Sequence, residues 1–130
     1  PEIYTLESLK VHYDNHAAPR AEVTISHRDR GQLTGTDEGN GSIDAVYNAI
    51  DQVTGEEAVL EDYQIKSVTQ GKDALGEVLV VLAQQEYAVT GRGVSTDILE
   101  ASARAYIDAL NRLIDRRGSG KTNKGNLGLV

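Results

Sequence analysis

The 130-residue chain has no cysteine, methionine, tryptophan or phenylalanine, and only two prolines. Without cysteine there is no disulfide framework, Cys-ligated zinc site, iron–sulfur cluster or thiol nucleophile. The lack fits a reducing compartment, and the cytoplasm is the expected location. No apolar run approaches the roughly 18 residues of a membrane span, and no signal-peptide pattern opens the chain. No membrane partner is expected. There is no initiator methionine and the sequence starts at Pro1, so it is expected to be a piece of a longer protein.

Basic charge is also scarce: 13 Lys and Arg stand against 20 Asp and Glu, a net charge of −7. Residues 116–130 carry Arg116, Arg117, Lys121 and Lys124 with no acid, so the first 115 residues hold −11. Such an acidic body repels phosphate backbones, which excludes nucleic acid as an expected partner. The last residues read as a flexible basic tail, 118–130. The length fits one domain, and 39 % apolar with 25 % charged residues is ordinary globular composition.

Alternation and glycine punctuation predict three strands and a helix, twice. The first strand is Ile3 to Tyr13, with Leu9, Val11 and Tyr13 on one face. Ala21 to Arg28 and Arg30 to Thr36 follow as strands. Ile43, Val46, Tyr47, Ile50 and Val53 then recur at helical spacing, with Gly55 as the C-terminal cap. In the second half, Leu60 to Thr69 is a strand, Gly71-Lys72-Asp73 a turn, and Gly76 to Gln85 a strand whose run Val78–Leu82 suggests burial on both faces. Tyr87 to Gly91 is a short third strand, and Ile98 to Arg116 an amphipathic helix ended by Gly118. Ala101, Ala105 and Ala109 make a narrow ridge on that helix, open to close approach by the sheet beneath or by a partner.

The halves superpose without gaps at an offset of 56: Leu33-Thr34-Gly35 falls on Val89-Thr90-Gly91, and Ala49 on Ala105. This predicts an internal duplication and an α+β fold of two pseudo-symmetric βββα units, about 3–55 and 58–117, packed around a shared core.

Most chemical motifs fail on spacing. His12 and His16 are four apart, but on a strand-and-turn segment, where that spacing does not bring side chains together. Gly118-Ser119-Gly120-Lys121-Thr122 ends like a phosphate-binding loop, yet its first glycine would be Asp115. A calcium loop starting at Asp37 would close on Asn48 instead of an acid. No catalytic residue and no metal site emerge. What remains is a strand-to-helix junction present twice, Gly39-Asn40-Gly41-Ser42 and Gly91-Arg92-Gly93-Val94-Ser95-Thr96-Asp97. Helix N-termini offer unpaired N–H groups and partial positive charge, which suits a carboxylate or small anion. Plain capping by Ser42, and by Thr96 or Asp97, explains the same residues.

Three segments resemble the signatures of the C-terminal regulatory domain of 2-isopropylmalate synthase: Gly39 to Ile50, Gly71 to Val78 and Gly91 to Ser102. The resemblance covers about residues 3–115 in the family's order, with Ser42 where the family usually has proline. It implies two βββα units, a homodimer, and L-leucine as a feedback effector. It further implies a catalytic domain of the same polypeptide, a TIM barrel absent from this chain, which uses a divalent metal to condense acetyl-CoA with 2-oxoisovalerate. The regulatory domain, 1–117, would hold no cofactor and be non-catalytic alone. By the same resemblance, Gly39, Asn40 and Gly41 would bind the leucine carboxylate and Asp97 the ammonium. Ile43, Leu60, Tyr63, Ala74 and Ile98 would line the side-chain pocket, with Ser67 and Gly76 nearby. Two alternatives stay open: the isoleucine-sensing domain of citramalate synthase, and a dimerisation module without effector binding.

Overall fold

The computed structural model describes residues 2–67, 71 and 74–128, with side-chain surroundings as far as Gly118. Its elements are β1 (Tyr4–Asp14), β2 (Ala17–His27), β3 (Gly31–Glu38), α1 (Ser42–Thr54), β4 (Val59–Ser67), β5 (Gly76–Gln84), β6 (Tyr87–Ser95) and α2 (Ile98–Gly128). The strands form two antiparallel three-stranded sheets, β1-β2-β3 and β4-β5-β6. Each sheet carries its own helix, so the expected α+β class with a repeated βββα unit is what the chain adopts. The expected turn residues Lys72 and Asp73, and Thr69 at the end of the fourth strand, lie outside the described residues.

Period-2 alternation places the core. Ala21, Val23 and Ile25 of β2 and Val78, Val80 and Leu82 of β5 are completely buried beneath the helices. Burying each of the larger of these side chains is worth about 1.5–3 kcal/mol. The other face of β5 is only half-covered at Leu79 and Val81, so the apolar run there does not mean burial on both faces. Tyr13 is 72 % exposed instead of facing inward with Leu9 and Val11. It sits where the β1–β2 register breaks, between His12 and Asp14.

The duplication is real in three dimensions but not gapless. Register shifts fall at Glu7 in β1, between Leu6 and Ser8, and at Glu61 in β4, between Leu60 and Asp62. Leu6 therefore corresponds to Leu60, and Leu9 to Tyr63. The β2–β3 turn spans Arg28 to Arg30, whereas β5 and β6 are joined by Gln85 and Glu86 alone. The offset of 56 holds only from β3 onward, because the turns before it differ in length.

β3 and β6 run past the glycines expected to end or break them, to Glu38 and Ser95. These glycines lie directly under the helices. A Cβ at Gly91 would stand 2.6 Å from the Ala109 nitrogen, and one at Gly93 2.6 Å from the Ala105 nitrogen. In the first half a Cβ at Gly35 would stand 3.2 Å from the Ala49 carbonyl oxygen. The alanine ridge of α2 therefore faces its own sheet. At Gly91 and Gly93 helix and strand backbones meet directly, which increases dispersion contact there, whereas the Val53 side chain is the nearest neighbour of Gly35.

α1 ends as expected at Gly55, left-handed at φ 69°, whose N–H donates to Asp51 O at 2.8 Å. Gly118 does not end α2. It lacks a positive φ, and a single glycine in helical conformation costs only about 1 kcal/mol, so α2 continues to Gly128 and residues 118–128 are helical. Where the two units join, Arg117 donates to both carboxylate oxygens of Glu56, at 3.0 and 3.2 Å, and to Gln84 Oε1 at 2.5 Å. The Arg117 hydrogen bonds hold the Glu56 carboxyl below its ordinary range.

Replacing Gly91 with alanine forces α2 off the sheet. Gly91→Ala should lower unfolding stability by about 1–3 kcal/mol, read as a reduced urea midpoint at unchanged slope.

Candidate functional site

The loop between β3 and α1 is tightly built. Gly39 N–H donates to Pro19 O at 3.2 Å, and a Cβ there would lie 2.7 Å from the Asp44 carbonyl carbon. Asn40 N–H donates to Asp44 Oδ2 at 2.8 Å. Asp44, in the first turn of α1, thus reaches back to the residue before the N-cap, a variant of the capping box. Gly41 is the N-cap, in extended conformation and with no side-chain cap bond. Ser42 is therefore not the cap. Asn40, expected to offer its amide to a ligand, has that amide already engaged. The amides of Gly41, Ser42 and Ile43 meet no acceptor among the described residues.

The second junction is built differently. Its glycines lie inside β6, and Asp97 caps α2: Leu99 N–H donates to Asp97 Oδ1 at 2.9 Å. Asp97 N–H donates to Ser95 Oγ at 3.1 Å, and Ser95 Oγ donates to Glu100 at 2.5 Å. At this helix start a side chain caps the Leu99 amide, whereas at the α1 start no side chain caps the helix, so the two junctions are not equivalent.

A second part of the arrangement lies at β4. No Cα of this strand comes within 8 Å of a Cα in either helix. Leu60, Tyr63 and Ile65 pair with Leu82, Val80 and Val78, three residues of one buried face. The shift at Glu61 returns Leu60 and Tyr63 to the same side. The inner face of β4 is apolar yet open, with Leu60 41 % and Ile65 57 % exposed. Tyr63 bridges the gap: its hydroxyl lies 2.7 Å from Ser102 Oγ, and its ring meets Tyr47 edge-on at 6.4 Å. Ser102 Oγ donates to Ile98 O at 2.7 Å, and Tyr47 OH to Ser102 O at 3.0 Å.

Several expected site residues thus come together. Tyr63 and Ile98 meet through Ser102. Gly76 lies under Ile98, where a Cβ would stand 3.2 Å from Ile98 Cδ1, and it pairs with Ser67. Ala74 is half-buried in the segment leading into β5. Gly39, Asn40, Gly41 and Ile43 stand at the start of α1, the helix that carries Tyr47. Asp97 is exposed beside Ile98. Tyr47, Ser102 and Ile65 were not among the expected site residues. A signal existed for two of them, because Tyr47 follows Ile43, and Ser102 follows Ile98, by one helical repeat of four. His27 serves a turn, its Nδ1 accepting from the amides of Asp29 and Arg30 at 3.0 and 3.1 Å.

Tyr47 also stacks on Tyr106, with centroids 4.2 Å apart. Burial pushes the hydroxyl pKa of both tyrosines upward. Tyr106 OH donates to Asp51 Oδ1 at 2.7 Å. Burial pushes the Asp51 carboxyl up to about 6, with Asp37 and Glu57 adding to the rise and the Tyr106 bond opposing it.

Two three-stranded antiparallel sheets, each carrying its own helix, define an α+β domain built by internal repetition. The chain belongs to the LeuA allosteric (dimerisation) domain family, whose model matches residues 1–114. It is 52 % identical over 118 residues to a 2-isopropylmalate synthase of Brevibacillus brevis, covering 91 % of this chain and 23 % of the relative. It is 46 % identical over 115 residues to that of Carboxydothermus hydrogenoformans, covering 88 % and 22 %. It is 42 % identical over 118 residues to that of Ruminiclostridium cellulolyticum, covering 91 % and 23 %. The chain thus spans under a quarter of the length of these relatives, and the family read from the three glycine-bearing signatures is the correct one.

The raised Asp51 pKa has a signed consequence. Between its unfolded value near 3.8 and its folded value of about 6, the native state binds more protons. This group's effect is therefore a stability that falls as pH rises through that window and levels off above it. Asp51→Asn keeps an acceptor for Tyr106 and removes the titration. Its melting temperature should match the wild type near pH 4 and exceed it at pH 7, read by thermal scans across that range.

Proposed function

We propose that this chain is the leucine-sensing regulatory domain of a 2-isopropylmalate synthase, giving end-product feedback inhibition of leucine biosynthesis. The observation that carries the reading is the α1 start, capped by Gly41 without a side chain, in a chain whose relatives bear that enzyme's name. The leucine carboxylate would sit on the amides of Gly41, Ser42 and Ile43, with Gly39 and Asn40 shaping the loop. The Asp97 oxygen not engaged in capping would attract the ammonium. Leu60, Tyr63 and Ile98 would contact the side chain, bordered by Ile43, Ser67, Ala74 and Gly76. In this reading residues 1–117 regulate, 118–130 form a basic extension, and the domain itself binds no cofactor. Catalysis, with its divalent metal, belongs to the remaining length of the polypeptide, in the cytoplasm.

The domain would act as a homodimer, and the open apolar face of β4 favours such a partner. That same face supports the second reading, a module that dimerises without binding an effector. An isoleucine-sensing domain of a citramalate synthase is the third.

Calorimetric titration with leucine, isoleucine and valine separates them, with sedimentation to report the dimer. Saturable binding that prefers leucine is expected. Preference for isoleucine would move the parent enzyme to the citramalate branch, and a folded dimer that binds none of the three would leave dimerisation alone. Gly41→Asp sharpens the test. No atom lies within 4 Å of a Cβ at Gly41, and aspartate is itself a favoured N-cap, so the fold and dimer should persist. The new carboxylate would occupy the anion position, and leucine affinity should fall at least about tenfold, the equivalent of ~1.4 kcal/mol.

A further inference from the structure

We infer that α2 links the effector cleft to the start of β1 through Asn111, which acts as a positioning residue; this rests on the effector reading above. Asn111 is buried, at 9 % exposure, in a helix whose other buried side chains are alanine, isoleucine and leucine apart from Ser102 and Tyr106. Its Oδ1 accepts the amides of Ile3 and Tyr4 at 3.1 and 2.9 Å, and its Nδ2 donates to Tyr4 O at 2.9 Å. One side chain from the second unit thus binds three backbone groups at the first strand of the other.

The grip is reinforced from two more directions. Tyr4 is buried with its ring edge-on to His27 at 5.2 Å, and its hydroxyl donates to Thr54 O at 3.4 Å. Arg28 N–H donates to Ile3 O at 2.9 Å. The start of β1 is therefore held by α2, by the last turn of α1 and by the β2–β3 turn together.

The same helix meets Tyr63 of β4 at Ser102, which is bonded in turn to Ile98 O. From Ser102 to Asn111 is nine residues, about 14 Å of helix. Between them α2 rests on Gly91 and Gly93 at backbone distance. Side chains cannot absorb a small displacement there, since none intervene. A shift at the first turns of α2 is passed along the rod to Asn111, as packed helices move by shear. A leucine that orders Tyr63 and Ser102 would tighten the Asn111 grip on Ile3 and Tyr4. By reciprocity, loosening that grip must weaken leucine. On the proposed reading the catalytic portion precedes this domain, so the start of β1 is where the effector state would leave it.

Amide exchange followed by NMR tests this on the chain itself, under conditions where Ile3 and Tyr4 exchange faster than buried Val23 and Ile25, so that local opening is observed. With leucine at 100 times its Kd, the two amides should slow by up to about 100-fold if each opening releases the effector. The His16 amide, at the far end of the β1–β2 hairpin, should not change. Asn111→Ser should lose the slowing and bind leucine about fivefold or more weaker. Leucine that binds by calorimetry yet leaves the Ile3 and Tyr4 rates unchanged overturns the coupling and leaves the effector site standing. Absence of leucine heat removes the reading on which the coupling rests. Where Asn111→Ser does not fold, the wild-type rates alone decide.

Discussion

The contact of α2 on Gly91 and Gly93 sets the height at which everything else in the second unit must meet. A methyl group at either position would collide with helix backbone, so the helix axis lies closer to the sheet than any side-chain layer would allow. At that height Ser102 comes within hydrogen-bond reach of Tyr63, Tyr106 can stack on Tyr47, and Asn111 reaches the first residues of β1. Gly35 seats α1 less closely, since a Cβ there would meet the Val53 side chain first, with the Ala49 carbonyl oxygen at 3.2 Å. Two helices lowered onto two sheets can then share a core built largely from alanine and valine, with Tyr4, Tyr47 and Tyr106 as its only buried aromatic rings.

The two units share a plan but not a chemistry. One helix starts on a glycine without a side chain, and the other on an aspartate that satisfies its own amides. One outer strand, β1, is gripped by α2, whereas no Cα of the corresponding β4 comes within 8 Å of a helix Cα and Tyr63 bridges the gap. Duplication supplies the scaffold, and departures from the repeat leave one helix start without a side-chain cap and one strand with an open apolar face in a single domain. A perfectly symmetric pair of units would have had neither in isolation.

Much of the architecture was legible because strand alternation and helical periodicity differ, and because Gly55 ends α1 as a left-handed cap should. The errors share a cause. Glycine was read as punctuation at Gly91 and Gly118, where it serves close packing in one case and is simply tolerated in the other. Only the neighbour across the fold distinguishes these uses. The glycine loop was legible as a strand-to-helix junction, but that Asp44 consumes the Asn40 amide depends on a side-chain rotamer no pattern encodes. Tyr47 and Ser102 were hidden for a similar reason. Each looks like ordinary core spacing until Tyr63 arrives from the outer strand β4 to meet both.

The polar side chains that α1 and α2 place at the outer strands have a consequence for self-assembly. Asn48 Nδ2 donates to the Glu38 carbonyl of β3 at 2.9 Å, and Asp108 Oδ2 accepts the Arg92 amide of β6 at 2.9 Å. A backbone group already bonded to a side chain cannot template another strand at that point. Both sheet margins nearest the helices are thus blunted against runaway strand addition. Strand addition is disfavoured at these two points of β3 and β6, whereas β4 leaves apolar side chains uncovered.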